Sequence, residues 1–136
     1  MKRDRRRRAE ADAVAAGGTP SRRAERVASE IQRVIGQILV QDIRDQRAAA
    51  ANITRVKVTP DLRQARVYFA LLSKEQGDPT EATEALGRVV PYLRRRLAKD
   101  LELRVTPELQ FLYDEELDEA RHIDSLLRSL NDEKTD

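Results

Sequence analysis

Cysteine and tryptophan are absent from this chain, methionine and histidine occur once each, and the aromatic rings amount to two Phe and three Tyr. Without cysteine there is no disulfide framework, no thiolate metal site and no thiol nucleophile, a composition that suits a reducing cytoplasm. The sole histidine, His122, lies among acids near the C-terminus with no second His or Cys to share a metal, so it reads as a surface residue. Five glycines leave little room for a Gly-rich phosphate loop. The longest strongly apolar run, Val67 to Leu72, is far shorter than the ~20 residues a membrane-crossing helix needs. The Arg-rich N-terminus continues into AEADAVAAGG, which contains acids and lacks the apolar stretch of a secretory signal. An organellar transit peptide would share the arginines but is the lesser reading. Asp114, Glu115, Glu116, Asp118 and Glu119 are dense, but nothing beyond the last strand separates their environments, as paired catalytic acids require. They are expected to be exposed. The expectation is a protein that is not an enzyme and carries no metal and no cofactor.

What is present is aliphatic and charged. The 136 residues fit one domain, with 40% hydrophobic residues for a core of Val, Ile, Leu and Ala and 37% charged residues around it. Net charge is only +2, yet Met1 to Arg26 holds nine basic and four acidic residues, net +5, while Asp114 to Asp136 holds three basic and nine acidic, net −6. Such asymmetry suggests a basic arm for a polyanion and a solvated acidic tail. Residues 1–18 read as a disordered basic arm, 19–130 as the folded domain and 131–136 as a disordered acidic tail.

Thr19-Pro20, a capping side chain followed by proline at the first helical position, opens a helix expected to run to about Gln46. Val27, Ile31, Val34, Ile35 and Ile38 supply its apolar face, and Arg22, Arg26, Arg33 and Arg44 the opposite stripe, which Val40 interrupts. Asn52 to Thr59 reads as a strand with Thr54, Val56 and Val58 on one face and Arg55 and Lys57 on the other. Pro60-Asp61 is a turn, and Gln64 to Leu72 a second strand with Ala65, Val67, Phe69 and Leu71 inward. Asp78-Pro79-Thr80-Glu81 starts a second helix that reaches about Asp100, with a kink expected at Pro91. Leu103 to Thr106 is a short extended approach, Glu108 to Tyr113 a third strand, and Ile123, Leu126, Leu127 and Leu130 mark a short final helix. The fold class is α+β: α-β-β-α-kink-α-β with a C-terminal helix, and helices packed on one face of a three-stranded sheet.

A basic constellation accompanies this scaffold. Arg88, Tyr92, Arg95 and Lys99 fall at i, i+4, i+7 and i+11, Arg94 and Arg96 flank them, and Arg104 follows the helix. Guanidinium groups offer planar forks to phosphate, and a tyrosine can stack on an unpaired base. With Arg22, Arg23, Arg26 and Arg33 of the first helix, these residues form the candidate RNA-binding set. A charged outer face is also what any amphipathic helix shows. A DNA-binding, nucleoid-associated protein would use the same helices, and a protein–protein adaptor would use the acidic tail.

Seven short motifs, in order, resemble the ribosome-binding factor A family. They are Arg23-x-x-Arg26-Val27, Asp45-x-Arg47, Thr59-Pro60-Asp61-Leu62, Ala65-Arg66-Val67-Tyr68, Leu93-Arg94 with Leu97-Ala98, Leu103 to Leu109 with Phe111, Tyr113 and Asp114, and Ile123 with Leu126-Leu127. The resemblance covers about residues 22–127 and departs from the family pattern at Gln46, at Val89-Val90-Pro91 and at Glu116 and Ala120. It implies a single KH-like domain that lacks the Gly-x-x-Gly clamp of ordinary KH domains. It further implies a monomeric cytoplasmic protein that binds the immature small (30S) ribosomal subunit and its 16S rRNA, assists 5′-end processing, and matters for cold adaptation. No membrane and no small-molecule substrate are implied.

Overall fold

The computed structural model describes residues 21–72 and 77–135, with side chains through Asn131. The expected basic arm and the Thr19-Pro20 cap lie outside the described residues. Helix α1 spans Arg22–Gln41, and Ser21 caps it: its side-chain oxygen accepts from the Ala24 N–H at 2.9 Å. Val27, Ile31, Val34, Ile35 and Ile38 are buried on one face, as their spacing requires. The helix stops five residues short of Gln46. The Asp42 N–H makes the last bond, to Ile38 O at 2.8 Å. Asp45 then caps a separate one-turn helix, α2 (Gln46–Ala49), by accepting from the Arg47 N–H at 3.0 Å. An aspartate that can satisfy free backbone donors starts a new turn more readily than it continues an old one.

Strands β1 (Asn52–Val58) and β2 (Gln64–Ala70) form an antiparallel hairpin. Its turn, Thr59 to Leu62, closes with Leu62 N–H to Thr59 O at 2.8 Å and leaves Leu62 left-handed at φ 62. The pairing slips between Ile53 and Arg55, so Thr54 is an extra residue in a bulge. The bulge corrects the expected alternation of β1. Ile53 pairs with Phe69, Val56 with Val67 and Val58 with Ala65, so Ile53 takes the inward place expected of Thr54. Gln32 Nε2 donates to Ile53 O at 3.3 Å beside the bulge.

Helix α3 (Pro79–Leu101) carries the chain across to β3 (Glu108–Tyr113), which pairs parallel with β2 and gives the sheet order β1-β2-β3. Asp78 caps α3 by accepting from the Thr80 N–H at 3.0 Å. The two expected helical segments are joined as one helix, α3, with Pro91 inside it. Proline there costs about 3 kcal/mol. Burying Leu86, Leu93 and Leu97 completely, on either side of Pro91, offsets this at roughly 1.5–3 kcal/mol each.

One core results. Ile31, Ile35, Ile38 and Leu39 of α1 meet Leu86, Leu93 and Leu97 of α3 over the inward side chains Val67, Phe69 and Phe111 of the sheet. Helices α1 and α3 therefore cover the same sheet face. Helix α4 (Glu115–Thr135) leaves the end of β3; it is longer than the short helix expected and runs past residue 130. Every described side chain from Asp118 to Asn131 is exposed, including Ile123, Leu126, Leu127 and Leu130.

Candidate nucleic-acid interface

The continuous α3 places Arg88, Tyr92, Arg95 and Lys99 along one helix face, opposite the buried Leu93–Leu97 seam. Arg88, Arg95 and Lys99 are exposed. Arg95 holds its guanidinium 5.8 Å from the Tyr92 ring centroid, and Arg88 approaches Asp45 at 3.6 Å. Asp45 sits below the ordinary carboxylate range because the Arg47 side chain, and then the Arg47 N–H, bond its charged form. It is already partnered, so Arg88 is loosely held.

Three of the residues in the candidate set make contacts within the fold. Arg94, expected among the solvent-facing heads, folds back on its own chain. Its Nε donates to Pro107 O at 3.0 Å and its Nη2 to Thr106 O at 2.8 Å, tying α3 to the approach of β3. Arg96 spans Asp42 and Asp100, at 2.6 and 3.2 Å, and donates to the Tyr92 hydroxyl at 3.0 Å. Tyr92 in turn donates to Asp42 Oδ2 at 3.0 Å, so the end of α1 is latched to the middle of α3. The Tyr92 hydroxyl and the Asp42 carboxylate raise the Arg96 pKa further above its ordinary value.

Arg22, Arg23, Arg26 and Arg33 are exposed along α1, and Arg104 is exposed after α3. Arg22, Arg23 and Arg26 stand at the start of α1, away from its junction with α3 at Asp42. At 1.5 Å per residue, Arg26 lies about 24 Å along the helix from Asp42, where α1 meets α3. The accessible cations thus fall into two groups, Arg88, Arg95 and Lys99 on α3 and Arg22, Arg23, Arg26 and Arg33 on α1.

Asp114 overturns its sequence reading. Expected in solvent with the other acids, it is only 4% exposed. The Thr54 hydroxyl donates to its Oδ2 at 2.6 Å, the Leu117 N–H to Oδ1 at 3.1 Å, and Arg55 Nε lies 3.4 Å from Oδ2. Burial pushes this carboxyl up, but the Thr54 and Leu117 bonds with the Arg55 and Arg121 charges hold it below the ordinary value. Asp114 is therefore the cap of α4 and the anchor of the β1 bulge. The signal was local: an aspartate between a strand end and a helical pattern is a cap position.

The sequence profile of ribosome-binding factor A matches residues 23–127. The chain belongs to the ribosome-binding factor A family. Among family members, the Lactococcus lactis subsp. cremoris protein is 44% identical over 110 residues, 81% of this chain and 92% of its own. The Coxiella burnetii protein is 37% identical over 117 residues, 85% and 97% of the two chains. The crystal structure of the Thermus thermophilus family member superposes with a TM-score of 0.58 over 66% of this chain and 94% of that one, at 22% identity. That likeness establishes the α+β, KH-like fold. The family match spans β1 to β3 and stops at Leu127, part-way along α4.

Proposed function

We propose that this protein is a ribosome assembly factor that binds the immature small (30S) ribosomal subunit and its 16S rRNA and assists maturation of the rRNA 5′ end, including in the cold. It acts in the cytoplasm as a monomer and by binding alone: favouring one RNA conformation shifts its population by the differential affinity. Residues 19–130 are the RNA-binding domain, with 1–18 as a basic arm and 131–136 as an acidic tail. The names of the relatives support ribosome binding. The single observation that carries an RNA contact is the exposed Arg88–Arg95–Lys99 face of α3, backed by a fully buried seam that holds the helix rigid.

The test is sedimentation of tagged protein with ribosomal particles, parent against Arg95→Glu/Lys99→Glu. Both side chains are exposed, so the variant keeps its fold by circular dichroism. It is expected to leave the small-subunit fraction at moderate salt. The slope of log affinity against log salt should fall by roughly one for each phosphate that the variant no longer neutralises. Co-migration of the parent with DNA, without preference for small subunits, would instead favour a nucleoid-associated protein. A folded variant that bound small subunits like the parent would reduce this face to solvated surface.

A further inference from the structure

The sheet has a second face. Because α1 and α3 both pack on the side of Val67, Phe69 and Phe111, neither covers the opposite side, which only the first turn of α4 reaches, through Glu116. Strand register arranges its side chains in rows. Arg55 stands opposite Tyr68, with Leu112 next, and Lys57 stands opposite Arg66, with Gln110 next. Glu108, beside Gln64, is the acid at the far end of this face, and Asp114 and Glu116 lie at the other. The middle of the face is basic and holds one aromatic ring.

We propose that this open face is a second RNA contact that takes a single-stranded segment, an unpaired base stacking on the Arg55–Tyr68 pair and a flanking phosphate meeting Lys57. This deepens the RNA-binding reading above and rests on it. The Arg55 guanidinium is 4.2 Å from the Tyr68 ring centroid, and the Lys57 ammonium is 5.9 Å away. Asp114 and Glu116 hold Arg55 from the side, both at 3.4 Å, so the planar stack is organised before any ligand arrives. A base adds a further plane to such a stack, and every base has a π-face to offer. Lys57 is exposed beside the ring, where it can meet the phosphate flanking a stacked base. An acidic peptide would meet Lys57 but leave the ring stack unused, so RNA fits the whole face better. The α1 and α3 cations belong to the helical layer on the other side of the sheet, so both surfaces can be occupied at once and two RNA segments bridged.

The test uses the full chain and a labelled oligouridylate of about ten nucleotides, within the span that one small domain covers. Tyr68→Leu and Lys57→Glu are each expected to weaken binding by about tenfold, the scale of one stacked base or one phosphate contact. Tyr68→Phe, which keeps the ring, should bind like the parent, and ultraviolet crosslinking should mark Tyr68. Lys57 is exposed, so Lys57→Glu is informative even if Tyr68→Leu impairs folding. Parent-like affinity in folded Lys57→Glu and Tyr68→Leu overturns the proposal. So does a loss confined to Lys57→Glu together with equal competition by polyglutamate, which would show a general anion surface. Neither result touches the sedimentation of Arg95→Glu/Lys99→Glu, so failure of the sheet site and failure of the ribosomal reading are distinguishable.

Discussion

Replacing Asp114 by alanine removes three supports at one point of the fold. The α4 cap to Leu117 goes, the charged acceptor for the Thr54 hydroxyl goes, and Arg55 loses its closest carboxylate. A cap contributes about 1 kcal/mol, and a hydrogen bond to a charged group about 1.5–3 kcal/mol. Asp114 is almost fully buried, so solvent recovers little of this, and the expected loss is about 3 kcal/mol. For a domain of this size that lowers Tm by about 10 °C. Thermal unfolding followed by circular dichroism at pH 7 reads the loss, with reduced helicity before the transition because α4 has no cap. The sign with pH follows from the direction of the Asp114 shift. Its pKa is lower folded than unfolded, so its contribution is complete above about 3.9 and disappears as pH falls through the folded value. Asp114→Asn keeps one acceptor oxygen and loses the charge and the second acceptor, so it should cost part of this at pH 7, and the deficit should shrink as pH falls below about 3.9. A Tm unchanged by Asp114→Ala, or an Asn deficit that stays constant with pH, would refute the assignment of Asp114 as a charged anchor.

Three further outcomes are expected. Pro91→Ala should raise the urea midpoint by the equivalent of about 1–3 kcal/mol, because an already continuous helix recovers a hydrogen bond to Gly87 O; an unchanged midpoint would mean the surrounding helix had already relaxed around the proline. Arg94→Ala should cost about 1–3 kcal/mol by leaving the Thr106 and Pro107 carbonyls without a donor. Arg95→Ala, on the exposed side, should stay within about 0.5 kcal/mol, and equal costs in chemical denaturation would contradict the division of roles between these neighbours. Glu102 ends α3 in the left-handed region at φ 51, so Glu102→Gly should stabilise the protein by roughly 0.5–1 kcal/mol, read as a higher Tm.

The amino-acid sequence alone determined the order of the strands and of the three long helices, the six residues of β3, the inward set of β2 and the apolar faces of α1 and α3. Each is written in a local period, two for a strand and 3.6 for a helix, that survives without knowledge of the partner. Caps are local features too, legible at Asp78 and carried equally by the positions of Asp45 and Asp114. Tertiary structure decided the rest. The slip that turns Ile53 inward depends on the β2 register and on Asp114, sixty residues from Thr54. The neighbouring arginines of α3 look alike in sequence, yet Arg94 meets the Thr106 and Pro107 carbonyls, Arg96 meets Asp42, and Arg95 meets solvent. Pro91 reads as a kink between two segments, and the buried leucines on both sides of it hold them in one helix. A charge or a proline carries no local period. Its role depends on which distant backbone or carboxylate the fold brings within about 3 Å, and that is settled only when the helices close over the sheet.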